Sequence, residues 1–180
     1  MKSRRFHFAA VVFGLALTGS AGQLLAVDYQ HEVQDKDISF SWSVAGEELA
    51  VKISAKTDGW VGIGFNPSNK MKDANYVLGY VKNGKAEISD EFGTRDNAHD
   101  TDEKLGGASN VGLVGGSEEG GVTTIEFTMP LDSGDAYDRP IQIDGDTVVH
   151  LAYGAGRDSF RSKHKYRTSL VVNLATGAVK

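Results

Sequence analysis

The chain of 180 residues has no cysteine, only three prolines and no apolar run long enough to cross a bilayer as a helix. Each absence excludes something. Without cysteine there is no disulfide, no lipid-modified cysteine, no thiolate metal site and no covalently attached c-type haem. Stability must therefore rest on an apolar core. Few prolines beside 22 glycines mean that the chain turns on glycine. A sustained helical stripe is missing too, and so are a Gly-x-Ser-x-Gly elbow, a phosphate loop, a His-Glu-x-x-His pair and a glycosidase-like pair of acids.

Residues 1–26 stand apart from the rest. Lys2, Arg4 and Arg5 precede an apolar stretch of roughly ten residues from Phe8, and small residues follow. This is the layout of a secretory signal, an uncleaved membrane anchor being the alternative, with cleavage expected after Ala26 and Ala21 as the second choice; Arg4-Arg5 is a weak twin-arginine hint. The expected mature domain is residues 27–180, exported to a periplasmic or extracellular space. Losing three cations and no anion takes the formal charge from -5 to -8. A domain so acidic suits neither nucleic acid nor an anionic membrane surface, and suits a basic protein partner better.

Period-two alternation runs through the remainder. Ile38, Phe40, Trp42 and Val44 alternate with three serines, and Leu49, Val51, Ile53 and Ala55 alternate after an AGEE turn. WVGIGF (Trp60–Phe65) reads as a strand whose glycines admit a ligand or another backbone. NYVLGYV and AEISDEF flank an Asn-Gly hairpin turn. Further strands are expected at VGLVGG, Val122–Met129, IQI, Thr147–Tyr153 and Thr168–Leu174, with Gly93–Ala108 as a long polar loop. Nine or ten short strands between turns predict an all-β antiparallel sandwich, a closed barrel being the alternative.

Two residues in irregular segments carry chemistry. Met71 lies in a polar loop between two strands, and His164 lies in GAGRDSFRSKHKYR. Thioether and neutral imidazole are a recognised axial pair for haem iron, although on residue chemistry alone a Met covering a core edge and an exposed His are the favoured explanation. His150 reads as a structural histidine in a strand buried on both faces. His99, with Asp96, Asp100 and Asp102, forms an acidic stretch that could take a divalent cation, but its spacing matches no standard loop and solvated surface is favoured.

Four stretches, in order, resemble the DOMON domain family, which includes the N-terminal domain of dopamine β-monooxygenase and the cytochrome domain of cellobiose dehydrogenase. They are TDGWVGIGFNPSNKMKDANYVLGYVKNG, TTIEFTMPL, VVHLAYG and HKYRTSLVVNL, spanning about Ile38 to Leu174. The resemblance implies an immunoglobulin-like β-sandwich and, in its cytochrome members, a non-covalent haem b held by one Met and one His. Those positions are Met71 and His164 here, with Lys163 and Lys165 as outside alternatives to the histidine. The chain departs from the pattern at Asn75, where an acid is usual, at Thr168 and at Met129.

On that reading Trp60, Phe65, Tyr76, Tyr153 and Phe160 line the ring, and Arg157, Arg161, Lys163 and Arg167 supply charge for the propionates. The implied role is single-electron transfer with a redox protein and not substrate chemistry. A haem-free module for a carbohydrate or small aromatic ligand is the alternative, and a ligand-free adaptor the third.

Overall fold

The computed structural model describes residues 27–180; the expected signal segment lies outside them. Eleven strands and one helical turn follow in order: β1 (His31–Asp35), β2 (Ile38–Ala45), β3 (Glu48–Ala55), β4 (Val61–Phe65), β5 (Asn75–Lys82), β6 (Lys85–Arg95), β7 (Ala98–Thr101), α1 (Asp102–Leu105), β8 (Gly112–Glu119), β9 (Val122–Pro130), β10 (Thr147–Gly154) and β11 (His164–Val172). They form two antiparallel sheets, ordered β1-β2-β3-β9-β8 and β11-β10-β4-β5-β6-β7. The fold is a β-sandwich, as the alternation predicts.

Between the sheets lies the core expected from the period-two residues. Phe40, Trp42, Leu49, Val51, Ile53, Phe65, Phe127 and Leu151 are all buried there. Phe40 stacks on Trp42 with ring centroids 4.5 Å apart, and the Trp42 indole N–H donates to the Leu174 carbonyl at 2.8 Å. Each such side chain contributes about 1.5–3 kcal/mol by leaving water. That carries a domain with no covalent cross-link.

The outer faces of the two sheets differ. On the five-stranded sheet several outward residues are polar and pair across the face: Ser41 with Glu32, Ser54 with Thr124, and Tyr29 with Glu126. This is the ordinary wet face of an antiparallel sheet. In the six-stranded sheet every residue of β4 is buried, as are the first five of β5. The outer face over β4 and β5 is therefore covered, and that face positions the candidate site.

Several sequence expectations need correction. β1 and β7 are extra strands; both are polar edge strands (HEVQD and AHDT) without apolar alternation. The supposed loop Gly93–Ala108 holds the end of β6, all of β7 and α1. IQI is not a strand among the described residues; Ile141 is held by its N–H bond to the Leu131 carbonyl and packs into the core.

Candidate functional site

A second apolar cluster sits on the outer face of the six-stranded sheet. Trp60, Ala74, Tyr76 and Leu78 are buried in it, with Met71, Tyr80, Ala152 and Phe160 packed against them. Cross-strand register explains the assembly: Leu78 lies opposite Gly62, which lies opposite Ala152, and Tyr76 lies opposite Gly64. The glycines of WVGIGF are covered chiefly by side chains, Gly62 by Leu78 and Trp60 and Gly64 by Tyr76. Tyr76 lies over Gly64, and the Trp60 indole lies over Gly154.

Met71 reaches this cluster because its loop folds back on β6. The Asp73 N–H donates to the Gly93 carbonyl at 2.7 Å, and the Gly93 N–H to the Ala74 carbonyl at 2.9 Å. Only glycine fits at position 93, since a Cβ there would run into the Met71 carbonyl. Asn66, Lys70 and Asp73 take positive φ of 51°, 50° and 61°, which closes the loop tightly. The methionine is thus fixed against an apolar platform.

From the other side the cluster is covered by the segment between β10 and β11. Trp60 Nε1–H donates to Ser162 Oγ at 2.9 Å and is 3.1 Å from the Ser162 carbonyl. Phe160 packs on Tyr80 with centroids 4.6 Å apart. His164 opens β11 directly after this segment and pairs with Gly154, beneath the Trp60 ring. It is exposed, and partial desolvation together with the Arg167 and Lys163 charges lowers its pKa below the usual 6.5. A neutral imidazole is the ligating form.

Of the expected ring-lining residues, Trp60, Tyr76 and Phe160 share the outer face with Met71. Phe65 and Tyr153 do not. Both point into the core between the sheets, Phe65 against Phe40 and Tyr153 against Tyr166. The reason is strand parity: Phe65 and Tyr153 fall on the inward positions of β4 and β10. Arg157, Arg161, Lys163 and Arg167 are exposed around the His164 segment. Arg161 lines an open groove of about 540 Å³ together with Phe160, Ser89, Glu91, His99 and Lys104.

Sequence reasoning missed a polar array beside the cluster. The Tyr76 hydroxyl is 2.9 Å from His150 Nδ1, and His99 Nδ1 contacts the buried Glu91 carboxylate, which also accepts from Ser89. The Tyr76 ring lies between the two histidines, 5.6 Å from His99 and 6.2 Å from His150. Burial, and then the Arg167 charge, lower the His150 pKa, so its ring is neutral at pH 7; burial holds the Tyr76 phenol protonated. His150 is thus half-buried on the outer face, and β10 alternates instead of being buried on both sides. The alternation of TVVHLAY held that signal, but valine and alanine at outward positions hid it.

A model of the DOMON domain matches residues 34–156. The chain belongs to the DOMON domain family. Among curated relatives of this DOMON domain, DBH-like monooxygenase protein 1 of Mus musculus is 31% identical over 117 residues, covering 65% of this chain and 18% of the relative. The domain thus spans under a fifth of the length of the relatives it matches. Among solved structures it is similar to the cytochrome b domain of pyranose dehydrogenase from Coprinopsis cinerea, with a TM-score of 0.58 at 16% identity over 78% of each chain. The cytochrome domain of Myriococcum thermophilum cellobiose dehydrogenase gives 0.57 at 12% identity over 79% of this chain and 77% of that one. At such identity the likeness speaks for the fold.

Proposed function

We propose that this DOMON domain, residues 27–180 behind an export signal at 1–26, is an exported b-type cytochrome module that exchanges single electrons with a redox protein. Haem b would lie on the outer face of the six-stranded sheet, with Met71 and His164 as axial ligands. The observation that carries this reading is the loop methionine seated in an apolar cluster on a sheet face that would otherwise be wet. Among the described residues no helix is long and apolar enough to cross a membrane, a statement that leaves strands aside.

The residues fit the group. Trp60, Tyr76, Leu78 and Phe160 supply the apolar lining and exclude water. The close approach of Gly93 to the Met71 backbone holds the methionine loop against β6, beside the cluster. The depressed pKa keeps His164 neutral and able to donate its lone pair. Arg161 and Arg167, with Arg157 and Lys163, offer cations at the rim for carboxylates. Phe160 rests on Tyr80, with ring centroids 4.6 Å apart, at one side of this lining. Such a haem would supply a one-electron couple, and a thioether ligand from Met71 would favour its ferrous form. The acidic surface of the domain steers a basic partner, in an association that weakens with salt.

The polar array supports a second reading. Tyr76, His150, His99 and Glu91 beside a groove of about 540 Å³ suit a haem-free module holding a carbohydrate or small aromatic ligand. The two readings separate on purification after export with a haem supply. The cytochrome gives a Soret band that shifts on dithionite reduction, and Met71→Ala or His164→Ala turns its low-spin spectrum high-spin or loses the haem. A colourless protein that stays colourless on haem addition rejects it in favour of the second reading, and unchanged spectra in both variants reject the ligand pair.

A further inference from the structure

Three aspartates from three elements meet on the inner side of the sheet edge, away from the Met71 face. Asp90 comes from β6, Asp102 opens α1, and Asp138 lies in the segment between β9 and β10. One carboxylate oxygen from each lies within 4.8 Å of the others. Asp102 is 0% exposed and Asp90 2%. Asn75, at the start of β5 and also 2% exposed, donates from Nδ2 to Asp138 Oδ1 at 2.6 Å.

Polar partners satisfy only part of this cluster. Asp138 also accepts from Ser133 Oγ–H at 2.7 Å, and Asp90 Oδ2 accepts from the Asn110 N–H at 2.7 Å. Four buried oxygens have no hydrogen-bond partner: Asp90 Oδ1, both oxygens of Asp102 and Asn75 Oδ1. Buried carboxylates normally carry a paired cation or several donors. Among the described residues no Lys, Arg or His forms an ion pair with any of the three; the nearby cations Lys104 and Arg139 pair with Asp100 and Asp73. Burial, and then repulsion from Asp90, Asp138, Asp135 and Glu103 in that order, push the Asp102 carboxyl up to about 8. The fold thus gathers negative charge and unused oxygen lone pairs in one dry place.

We propose that Asp90, Asp102, Asp138 and Asn75 form a structural Ca²⁺ site. The donors are all oxygens, which selects a hard cation over zinc or copper. Ca²⁺–oxygen bonds of about 2.3–2.6 Å let oxygens up to about 5 Å apart share one ion, and these three lie within 4.8 Å of one another. Three carboxylates and an amide, with both Asp102 oxygens available, suit Ca²⁺ better than Mg²⁺, which keeps most of its water. The ion would join β5, β6, α1 and the β9–β10 connection, and so anchor the strand that follows the Met71 loop. The site differs from the acidic stretch expected from sequence: of His99, Asp96, Asp100 and Asp102, only Asp102 belongs to it.

The competing account is that the three acids share protons and need no ion. Calorimetric titration of the EDTA-treated mature domain with CaCl₂ at pH 7.5, beside thermal melts with and without CaCl₂, separates the two. Saturable binding of one Ca²⁺ per chain is expected, tighter than Mg²⁺, with Tm raised by about 5–10 °C at a hundredfold excess over Kd. Asp90→Asn, which keeps its bond from Asn110, weakens binding on the order of tenfold or more, while Asp100→Asn leaves it unchanged. Absence of both heat and a Tm shift in the wild-type protein overturns the site. So does binding that Asp90→Asn does not alter.

Discussion

Gly93→Ala tests the contact that holds the Met71 loop against β6. A Cβ at position 93 would lie 2.8 Å from the Met71 carbonyl carbon and 3.1 Å from the Ala74 nitrogen, and closer still to the Met71 oxygen; ordinary contact begins at 3.4 Å. Every one of these atoms is backbone, so no side-chain rotation relieves the overlap and the loop has to lift. Lifting it forfeits the Asp73–Gly93 and Gly93–Ala74 bonds, of 2.7 and 2.9 Å, and stretches the longer Met71–Asp96 bond of 3.4 Å. Two net hydrogen bonds at ~0.5–1.5 kcal/mol each amount to about 1–3 kcal/mol. The lower entropy of the unfolded alanine chain returns ~0.4–1 kcal/mol. The expected net loss is about 1–2 kcal/mol, a Tm lower by about 2–8 °C. Urea unfolding followed by tryptophan fluorescence measures it. The slope should not change, because the inter-sheet core is untouched. Gly115→Ala, at a glycine with open space and no positive φ, is the control and stays within about 0.5 kcal/mol. If Gly93→Ala is as stable as that control, the Met71 loop does not rest on β6 as described.

Trp60→Phe removes the indole N–H that reaches Ser162 at 2.9 Å. A loss of about 1–2 kcal/mol is expected, with faster amide exchange in residues 155–163 and unchanged exchange in β2 and β3; equal acceleration everywhere would show that Trp60 supports the whole core and does not pin this segment. His150 is depressed below 6.5 in the folded state by burial first and the Arg167 charge second. The unfolded state therefore binds the proton more readily. Stability is complete above 6.5 and falls as pH drops below it, until the folded-state pKa is reached. His150→Gln, which keeps an acceptor for the Tyr76 hydroxyl, flattens that part of the stability–pH curve. Parallel curves for the two proteins would show that His150 does not titrate differently on folding.

Most strands and the hairpins between neighbouring strands were legible because each is local. Ile38–Val44 and Leu49–Ala55 alternate within their own windows, and Asn83-Gly84 marks the turn between β5 and β6. Met71 was legible as an anomaly, an apolar residue among charges, and the resemblance to the DOMON family named a reason for it. The face on which an apolar residue lands was harder. Phe65 and Tyr153 look as suitable beside a ring as Trp60 and Tyr76, but strand parity sends the first two into the core and the others outward.

Sequence alone determined the class of the fold: period-two burial and glycine turns act over a few residues, and no cysteine or helical stripe competes with them. It also marked Met71 and His164 as residues able to bind a soft or borderline metal, although His164, expected in an irregular segment, is the first residue of β11. Tertiary structure decided which residues meet. Asp90, Asp102 and Asp138 stand in three unlike local contexts, and only the closing of β6, α1 and the β9–β10 connection around one point brings their oxygens together. The same holds for Tyr76, His99 and His150, which three different strands place on one face. Proximity between distant segments depends on register and packing, and neither is written in the spacing of residues along the chain.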